Sequence, residues 1–255
     1  MRDAIQNKLL EIEEAEKVRI VYCAESGSRA WGFASADSDY DVRFVYAREL
    51  HEYLRLDLVR DVIEWENDGV FDISGWDLQK ALRLLRNSNP TFFEWGSSPL
   101  IYRETPEWDA VRAAMGGFFR ARPGAFHYLN MAGSNYRKYL RGESVGLKKY
   151  LCALRPILAC RWILDHGTPP PMPFAELVEA ELEPEVLPVV AQLLEWKASA
   201  PEAKKGPQIE VLNAYIEKSL TGLEEALSAL PTEPKPGWDS LNSLFLSLVM
   251  RDGIL

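Results

Sequence analysis

Residues 38–47 have the sequence SDYDVRFVYA, in which polar and apolar side chains alternate. This alternation predicts a β-strand with one apolar face, because successive side chains of a strand point in opposite directions. Asp39, Asp41 and Arg43 share the other face. Two carboxylates two positions apart lie roughly 7 Å apart at their Cα atoms, and they repel each other unless a cation lies between them. The stretch therefore predicts a strand that carries a cation site.

The residues before this strand have the composition of a phosphate-binding turn. Residues 18–24, VRIVYCA, predict a buried strand, and residues 27–32, GSRAWG, follow it closely. Gly27 lets the backbone bend and lets a phosphate approach with no Cβ atom in the way. Ser28 offers a hydroxyl and an amide, and a helix that begins near Arg29 would direct free N–H groups towards a polyphosphate. We therefore predict that Gly27 and Ser28 bind a nucleotide.

A third acid completes the predicted cation site. Asp72 lies in the apolar stretch 70–73, VFDI, and an acid among apolar strand residues is unusual without a partner. Mg²⁺ prefers carboxylate and phosphate oxygens as ligands. We predict that Asp39, Asp41 and Asp72 hold two Mg²⁺ ions, with Mn²⁺ as an alternative, and that Asp72 helps to deprotonate an attacking hydroxyl. The alternatives for the third position are Asp61, Asp68 and Asp77.

The remainder of the first hundred residues predicts a small mixed sheet with flanking helices. Apolar residues recur at helical spacing over 3–16, which predicts an amphipathic helix. Residues 59–65 and 69–73 predict two further strands joined by a tight turn. Ser74 and Asp77, three residues apart, predict the start of the next helix.

Beyond about residue 104 the strand patterns stop. Helices are predicted near 107–119, 124–141, 146–166, 174–181, 185–198, 208–230 and 238–251. The predicted class is therefore α+β, with a catalytic core over 1–104 and an all-helical domain over 105–255. We expect the helical domain to close a nucleotide cleft, since ligands commonly bind between domains.

The helical part contains a local excess of positive charge. Between residues 137 and 161 there are seven Lys and Arg residues and a single acid, in a chain of formal net charge −9. Lys148 and Arg155 are seven residues apart and share one face of a predicted helix. We predict that this face binds nucleotide phosphates or the acceptor strand; a merely solvated face is the alternative. Arg43 has two alternatives as well, a nucleotide phosphate or an ion pair with the neighbouring acids.

Composition excludes several other classes of protein. The acidic total argues against a chain covered in nucleic acid, because phosphate binding is driven by Lys and Arg. The three cysteines and three histidines match neither a disulfide framework nor a zinc motif. The charged N-terminus does not match a secretory signal, and no apolar run approaches the ~20 residues that cross a bilayer. These features predict a cytoplasmic protein without membrane contacts.

Several stretches together resemble the DNA-polymerase-beta-type nucleotidyltransferases. The resemblance is carried by GSRAWG at 27–32, SDYDVRFVY at 38–46 and FDISGWDLQKAL at 71–82. SNPTFFEWGSSPLIY at 88–102 and KKYLCALRPILACRWI at 148–163 resemble later motifs of the RNA-repair-associated RlaP group. The resemblance implies that the Gly-Ser turn binds triphosphate, that the first two Asp bind both metal ions, and that the third binds the catalytic ion. By position these residues are Gly27, Ser28, Asp39, Asp41 and Asp72.

The implied reaction moves a nucleoside monophosphate from a nucleoside triphosphate, such as ATP, to an acceptor hydroxyl and releases pyrophosphate. The RNA-repair group implies an RNA end as the acceptor, and the basic helix is compatible with one. Two other functions stay open. One is nucleotidylation of a protein or small molecule, as in antitoxin-like or antibiotic-modifying relatives. The other is a non-catalytic nucleotide-sensing module. The sequence identifies no protein partner.

Overall fold

The computed structural model describes residues 1–199 and 205–250, and its central element is a mixed five-stranded sheet. The strands are β1 (Arg19–Glu25), β2 (Tyr40–Ala47), β3 (Val62–Asn67), β4 (Phe71–Asp77) and β5 (Ile101–Glu104). Their order is β3-β4-β2-β1-β5, and only β2 and β4 pair in parallel. The predicted α+β class is confirmed, whereas β5 is a strand that the sequence pattern did not predict.

Helices surround the sheet and make up most of the chain beyond it. Those of the first half are α1 (Arg2–Glu16), α2 (Gly27–Ala30), α3 (Leu50–Tyr53), α4 (Leu78–Arg86), α5 (Pro90–Gly96) and α6 (Pro106–Met115). They are followed by α7 (Ala121–Tyr139), α8 (Lys148–His166), α9 (Phe174–Glu181), α10 (Leu187–Ser199), α11 (Glu210–Ser228) and α12 (Asp239–Val249), with a short ladder of β6 (Val145–Gly146) and β7 (Lys205–Gly206). The helices predicted beyond residue 104 are confirmed to within a few residues, apart from position 251, which lies outside the described residues. Over the described ranges, no helix has the length and apolar character needed to cross a membrane.

The chain divides into two compact units. The sheet unit contains Met1–Gly27, Asp39–Phe118 and residues 235–250. The helical unit contains Ser28–Ser38 and Phe119–Pro234. This division differs from the predicted boundary at residue 104.

The difference from the predicted boundary has a physical reason in the sheet unit. The indole of Trp108, in α6, stacks on the Tyr22 ring of β1 with the ring centroids 4.1 Å apart. Phe245, in α12, packs edge-on against Tyr53 at 5.0 Å. Aromatic pairs of this kind contribute about 0.5–1.5 kcal/mol beyond the burial of their area. These contacts attach α6 and α12 to the sheet unit although both lie beyond residue 104.

The core of the sheet unit follows the predicted periodicities. Ile5, Leu9 and Ile12 lie on one face of α1 and are fully buried, and each such side chain contributes roughly 1.5–3 kcal/mol on burial. They share a cluster with Val42 and Phe44, which lie on the apolar face of β2. The opposite face of β2 is therefore left for Asp41 and Arg43, as the alternation predicts.

The predicted start of the helix after β4 is wrong by three residues. Strand β4 extends to Asp77, because its residues pair with β2 through the step Tyr46–Asp77. Ser74 therefore lies within the strand, and Asp77 is the N-cap of α4: its Oδ1 atom accepts the Gln79 N–H at 2.8 Å. Burial raises the pKa of the Asp77 carboxyl above its usual range. Asp77 is thus a capping residue and not a candidate for the third acid.

Candidate active site

Asp41 and Asp72 lie side by side at the start of neighbouring parallel strands. The register of β2 and β4 pairs Asp41 directly with Asp72, so both side chains lie on the same face of the sheet. Their side chains keep 21% and 33% of their surface exposed. The predicted neighbourhood of these two acids is therefore present in the fold, and it is open to ligands.

The guanidinium of Arg43 lies between the two carboxylates. Its Nη2 atom is 3.1 Å from Asp41 Oδ1 and 2.7 Å from Asp72 Oδ2. Its Nη1 atom donates to Asp72 Oδ1 at 3.0 Å and to the Asp72 carbonyl at 2.6 Å. The ion-pairing alternative for Arg43 is the one that the structure shows. A cation thus occupies the point on which both carboxylates converge, as their mutual repulsion requires.

The carboxylate pair has the donor chemistry of a divalent-cation site. Mg²⁺ in enzymes is usually bound by one or two carboxylates together with substrate phosphates and water. Asp41 and Asp72 supply two carboxylates at one point, so they fit one such ion. Asp39 precedes β2, in the irregular segment that leads into the strand. Within the described residues, no three His, Cys, Asp or Glu side chains form a group that could hold a metal ion. A third ligand from Asp39 therefore stays a prediction.

Gly27 fits closely against Asp41. It has a φ angle of +56°, in the left-handed region that favours glycine. A Cβ atom at this position would lie 1.8 Å from the Oδ2 atom of Asp41. Position 27 thus requires a glycine in the structure, as the sequence predicts. The group that excludes a side chain is the carboxylate of Asp41, whereas the prediction named a phosphate.

Glu25, the last residue of β1, supports Asp41 from behind and was not predicted from the sequence. It is fully buried. Its Oε1 atom accepts the backbone N–H of Asp41 at 2.8 Å, and its Oε2 atom accepts the hydroxyl of Tyr102, in β5. The Ser26 N–H also donates to the Asp41 carbonyl, at 2.8 Å. The available signal was an acid that ends an otherwise apolar strand.

The hydroxyl of Tyr102 keeps its proton in this arrangement. Burial is the main cause that raises the pKa of Tyr102, and the hydrogen bond to Glu25 raises it further. The Asp41 N–H and the Tyr102 hydroxyl therefore both donate to the Glu25 carboxylate.

We expect Glu25→Ala to destabilise the sheet unit. The change removes the carboxylate that accepts from the Asp41 N–H and the Tyr102 hydroxyl, and a buried donor that loses its acceptor costs about 1–3 kcal/mol. Glu25→Gln should cost less, because its amide can still accept from Asp41 and donate to the Tyr102 oxygen. Urea denaturation measures both. Equal losses for the Ala and Gln variants would contradict the assigned hydrogen bonds.

The segment 28–38, which contains most of α2, belongs to the helical unit and is held there by aromatic and cationic contacts. The Arg155 guanidinium lies 4.6 Å from the centre of the Trp31 ring, and the Phe174 N–H donates to the Trp31 carbonyl at 2.8 Å. Phe33 packs edge-on against Phe174 at 5.6 Å. Trp31 and Phe33 therefore pack locally within the helical unit.

The two residues of the predicted basic face of α8, Lys148 and Arg155, lie in different surroundings in the structure. Arg155 is only 2% exposed and also donates to the Met172 carbonyl at 3.2 Å. Lys148 is the first residue of α8 and is half-buried. Ser28, which is buried, lies in the helical unit as well. Nucleotide contacts by Ser28, Lys148 and Arg155 stay predictions.

Lys197, in α10, is a further residue that the sequence did not single out. Its ammonium is buried and lies 2.5 Å from the Ser35 hydroxyl and 3.4 Å from the Ser38 hydroxyl. The Arg29 guanidinium donates to the Ser38 carbonyl at 2.6 Å. The residue immediately before Asp39 is therefore fixed by two basic side chains of the helical unit.

Comparisons with known proteins agree with the motifs. The model of the RlaP family, described as the RNA repair pathway DNA polymerase beta family, matches residues 1–247. The uncharacterized protein YcgL of Bacillus subtilis (strain 168) is 43% identical over 251 residues, which covers 98% of this chain and 96% of that protein. A crystal structure of a nucleotidyltransferase-like protein from Exiguobacterium sibiricum 255-15 aligns with all of this chain and 81% of its own. Its 16% identity and TM-score of 0.34 are too low to support an argument.

Proposed function

We propose that the chain, which belongs to the RNA repair pathway DNA polymerase beta family and is a nucleotidyltransferase, transfers a nucleoside monophosphate to the hydroxyl of an RNA end. The donor is a nucleoside triphosphate. The observation that carries the proposal is the in-register pair of Asp41 and Asp72, with Gly27 packed against the first of them. A cytoplasmic location, where RNA and nucleoside triphosphates are both present, is part of the proposal.

The reaction forms one bond to phosphorus and breaks another. The acceptor hydroxyl oxygen attacks the α-phosphorus, and the bond from this phosphorus to the oxygen that bridges to the β-phosphate breaks. The products are the nucleotidylated acceptor and pyrophosphate. The hydroxyl proton passes to a carboxylate oxygen of Asp72 and then to water, which is the general-base role that its exposed position permits.

The carboxylates are proposed to hold Mg²⁺ or Mn²⁺ during the reaction. Asp41 and Asp72 would be the ligands, and Asp39 is proposed to join them for a second ion. When bound, such ions neutralise phosphate charge and favour deprotonation of the attacking hydroxyl. Arg43 pairs with both carboxylates in the structure, so we propose that it exchanges Asp72 for a phosphate oxygen when nucleotide binds. Its planar donor fork suits either partner.

The proposal is tested with each of the four α-labelled nucleoside triphosphates, ATP included, and short RNAs that carry free hydroxyl ends. We expect label on RNA and release of pyrophosphate with Mg²⁺ or Mn²⁺, and neither when EDTA replaces the metal. Label on a protein or on a small molecule, with none on RNA, would overturn the RNA acceptor. Nucleotide binding without transfer to any acceptor would favour the sensing alternative.

A further inference from the structure

A groove extends from Asp72 across the two outer strands of the sheet, on the side away from Gly27. It is a cavity of about 630 Å³, within the ~300–1,000 Å³ typical of small-ligand sites. Arg43 and Asp72 form its inner end, and its floor continues over Ser74, Trp76 and Glu64. The groove thus begins at the proposed catalytic acid.

The side chains of the groove floor share one face of the sheet because of the register. Asp72, Ser74 and Trp76 alternate along β4 and are all partly exposed. Across the β3–β4 ladder, Ser74 is paired with Glu64 and Trp76 with Val62. Asp72 and Trp76 are four steps apart along the strand, which is roughly 13 Å. This length accommodates one nucleoside with its base.

The direction of the groove separates it from the phosphate turn. In the strand order β3-β4-β2-β1-β5, Gly27 follows β1, whereas the groove lies over β4 and β3. Asp41, on β2, and Asp72, on β4, lie between the edge of the sheet that carries Gly27 and the edge that carries the groove. A nucleotide that contacts the Gly27 side would therefore leave the groove open for the attacking group.

The groove has an aromatic platform and an acidic lining. The indole of Trp76 is backed by that of Trp95, with centroids 3.7 Å apart and planes 22° from parallel, so its position is fixed before a ligand binds. Glu64, Glu66 and Asp72 line the groove. Glu64 is paired with the exposed Arg60 at 2.8 Å, and the Glu66 carboxylate is paired with Lys8 of α1, so Glu64 and Asp72 are the two carboxylates available to a ligand. Among the described residues that line it, the single basic side chain is Arg43, whose guanidinium is paired with Asp41 and Asp72.

We propose that this groove holds the 3′-terminal nucleoside of the acceptor RNA, with its base on Trp76 and its sugar hydroxyls between Glu64 and Asp72. The inference rests on the proposed transfer to an RNA end. Stacking on a fixed indole suits any base, and carboxylates accept hydrogen bonds from sugar hydroxyls. The same carboxylates repel phosphate, so the groove admits a terminus with free hydroxyls and disfavours one that ends in a 3′-phosphate.

The test compares Trp76→Leu and Glu64→Gln with the wild-type protein. The control for the first is Trp238→Leu, since Trp238 is another partly exposed indole of the sheet unit but lies outside the groove. At saturating nucleotide, Trp76→Leu should raise the KM for a short oligoribonucleotide about tenfold, the loss of one stacked base. The KM for nucleoside triphosphate should stay within twofold of wild type. Glu64→Gln should reduce the difference in binding affinity between RNA with free terminal hydroxyls and 3′-phosphorylated RNA, which is measured by binding because the phosphorylated end has no 3′ hydroxyl to accept a nucleotide. The exposed position of Glu64 makes a folding defect from this variant unexpected.

A binding measurement separates failure of the groove from failure of the proposed function. Fluorescence anisotropy of a 5′-labelled oligoribonucleotide reports acceptor binding without requiring transfer. Tenfold weaker binding to Trp76→Leu in a protein that transfers nothing to RNA would retain the groove and reject the reaction. The groove is rejected if Trp76→Leu leaves both acceptor KM and RNA affinity within twofold of wild type. It is also rejected if the variant raises only the KM for nucleotide.

Discussion

Asp41→Asn and Asp72→Asn should each abolish nucleotidyl transfer and leave the protein folded. Each change removes one of the two carboxylates that converge on the guanidinium of Arg43. Loss of a single stabilising group at a reacting centre already lowers kcat by about 10²–10³-fold. Because Asp72 is also the proposed base, we expect about 10³-fold or more for that variant. Single-turnover transfer to RNA measures the effect.

The folded state should tolerate these two changes. Asn has nearly the same volume as Asp and still accepts a hydrogen bond from Arg43. Partly exposed ion pairs contribute about 0–1 kcal/mol, so the melting temperature should change by a few degrees at most. An activity loss that is matched by unfolding would contradict a catalytic role for the carboxylates.

Asp61→Asn is the matched control for the carboxylate variants. Asp61 is a neighbouring acid that the sequence leaves as an alternative for the third position, and in the structure it is half exposed and paired with Lys80 at 3.1 Å. Transfer by this variant should stay within twofold of wild type. Asp39→Asn is the informative companion, because its effect reports whether Asp39 joins the metal site. Transfer by Asp41→Asn or Asp72→Asn within tenfold of wild type would refute the carboxylate-pair assignment.

Local patterns predicted most of the elements that carry the candidate site. The alternation of β2 is decided by its own residues, because period-two burial is a property of a single strand. The buried stripe of α1 is equally local. The residue types at Gly27, Asp41 and Asp72 pointed to the same chemistry that the register of β2 and β4 permits.

Contacts between distant segments could not be predicted in the same way. Glu25 and Tyr102 are 77 residues apart, and Lys197 and Ser35 are 162 apart. Their side chains meet only because strands and helices pack, and no spacing rule connects them. The buried position of Arg155 has the same origin, since it contacts Trp31, which lies in a loop far from α8 in the sequence.

The end of β4 shows a competition between two local signals. Ser74 and Asp77 have the spacing of a capping box, which predicted a helix from Ser74. Pairing of β4 with strands on both sides extends the strand to Asp77, because each added residue gains ladder hydrogen bonds. Tertiary pairing thus overrides the first cap, and Asp77 itself becomes the cap.

Gly27→Ala should inactivate the protein more than it destabilises it. The new Cβ atom would lie 1.8 Å from Asp41 Oδ2 at a φ of +56°, so either the turn or the carboxylate must move by more than 1 Å to reach van der Waals contact. A displacement of about 1 Å at a reacting centre can cost roughly 10²-fold in rate. The left-handed backbone adds about 1–2 kcal/mol of strain for a residue with a Cβ.

The Gly69→Ala variant distinguishes the effect of the clash with Asp41 from the effect of the strained backbone at a positive φ. Gly69 also has a positive φ, of +84°, but a Cβ atom there would meet nothing within 4 Å. Both variants should lose similar stability in urea denaturation, whereas only Gly27→Ala should lose about 10²-fold in transfer. If the two variants lost activity equally, the effect would belong to stability alone. Glu25 and the Ser26 N–H hold the backbone of Asp41 and not its side chain, so the new methyl group would displace the carboxylate. A Gly27→Ala protein with wild-type transfer would therefore show that the position of this carboxylate does not limit the reaction.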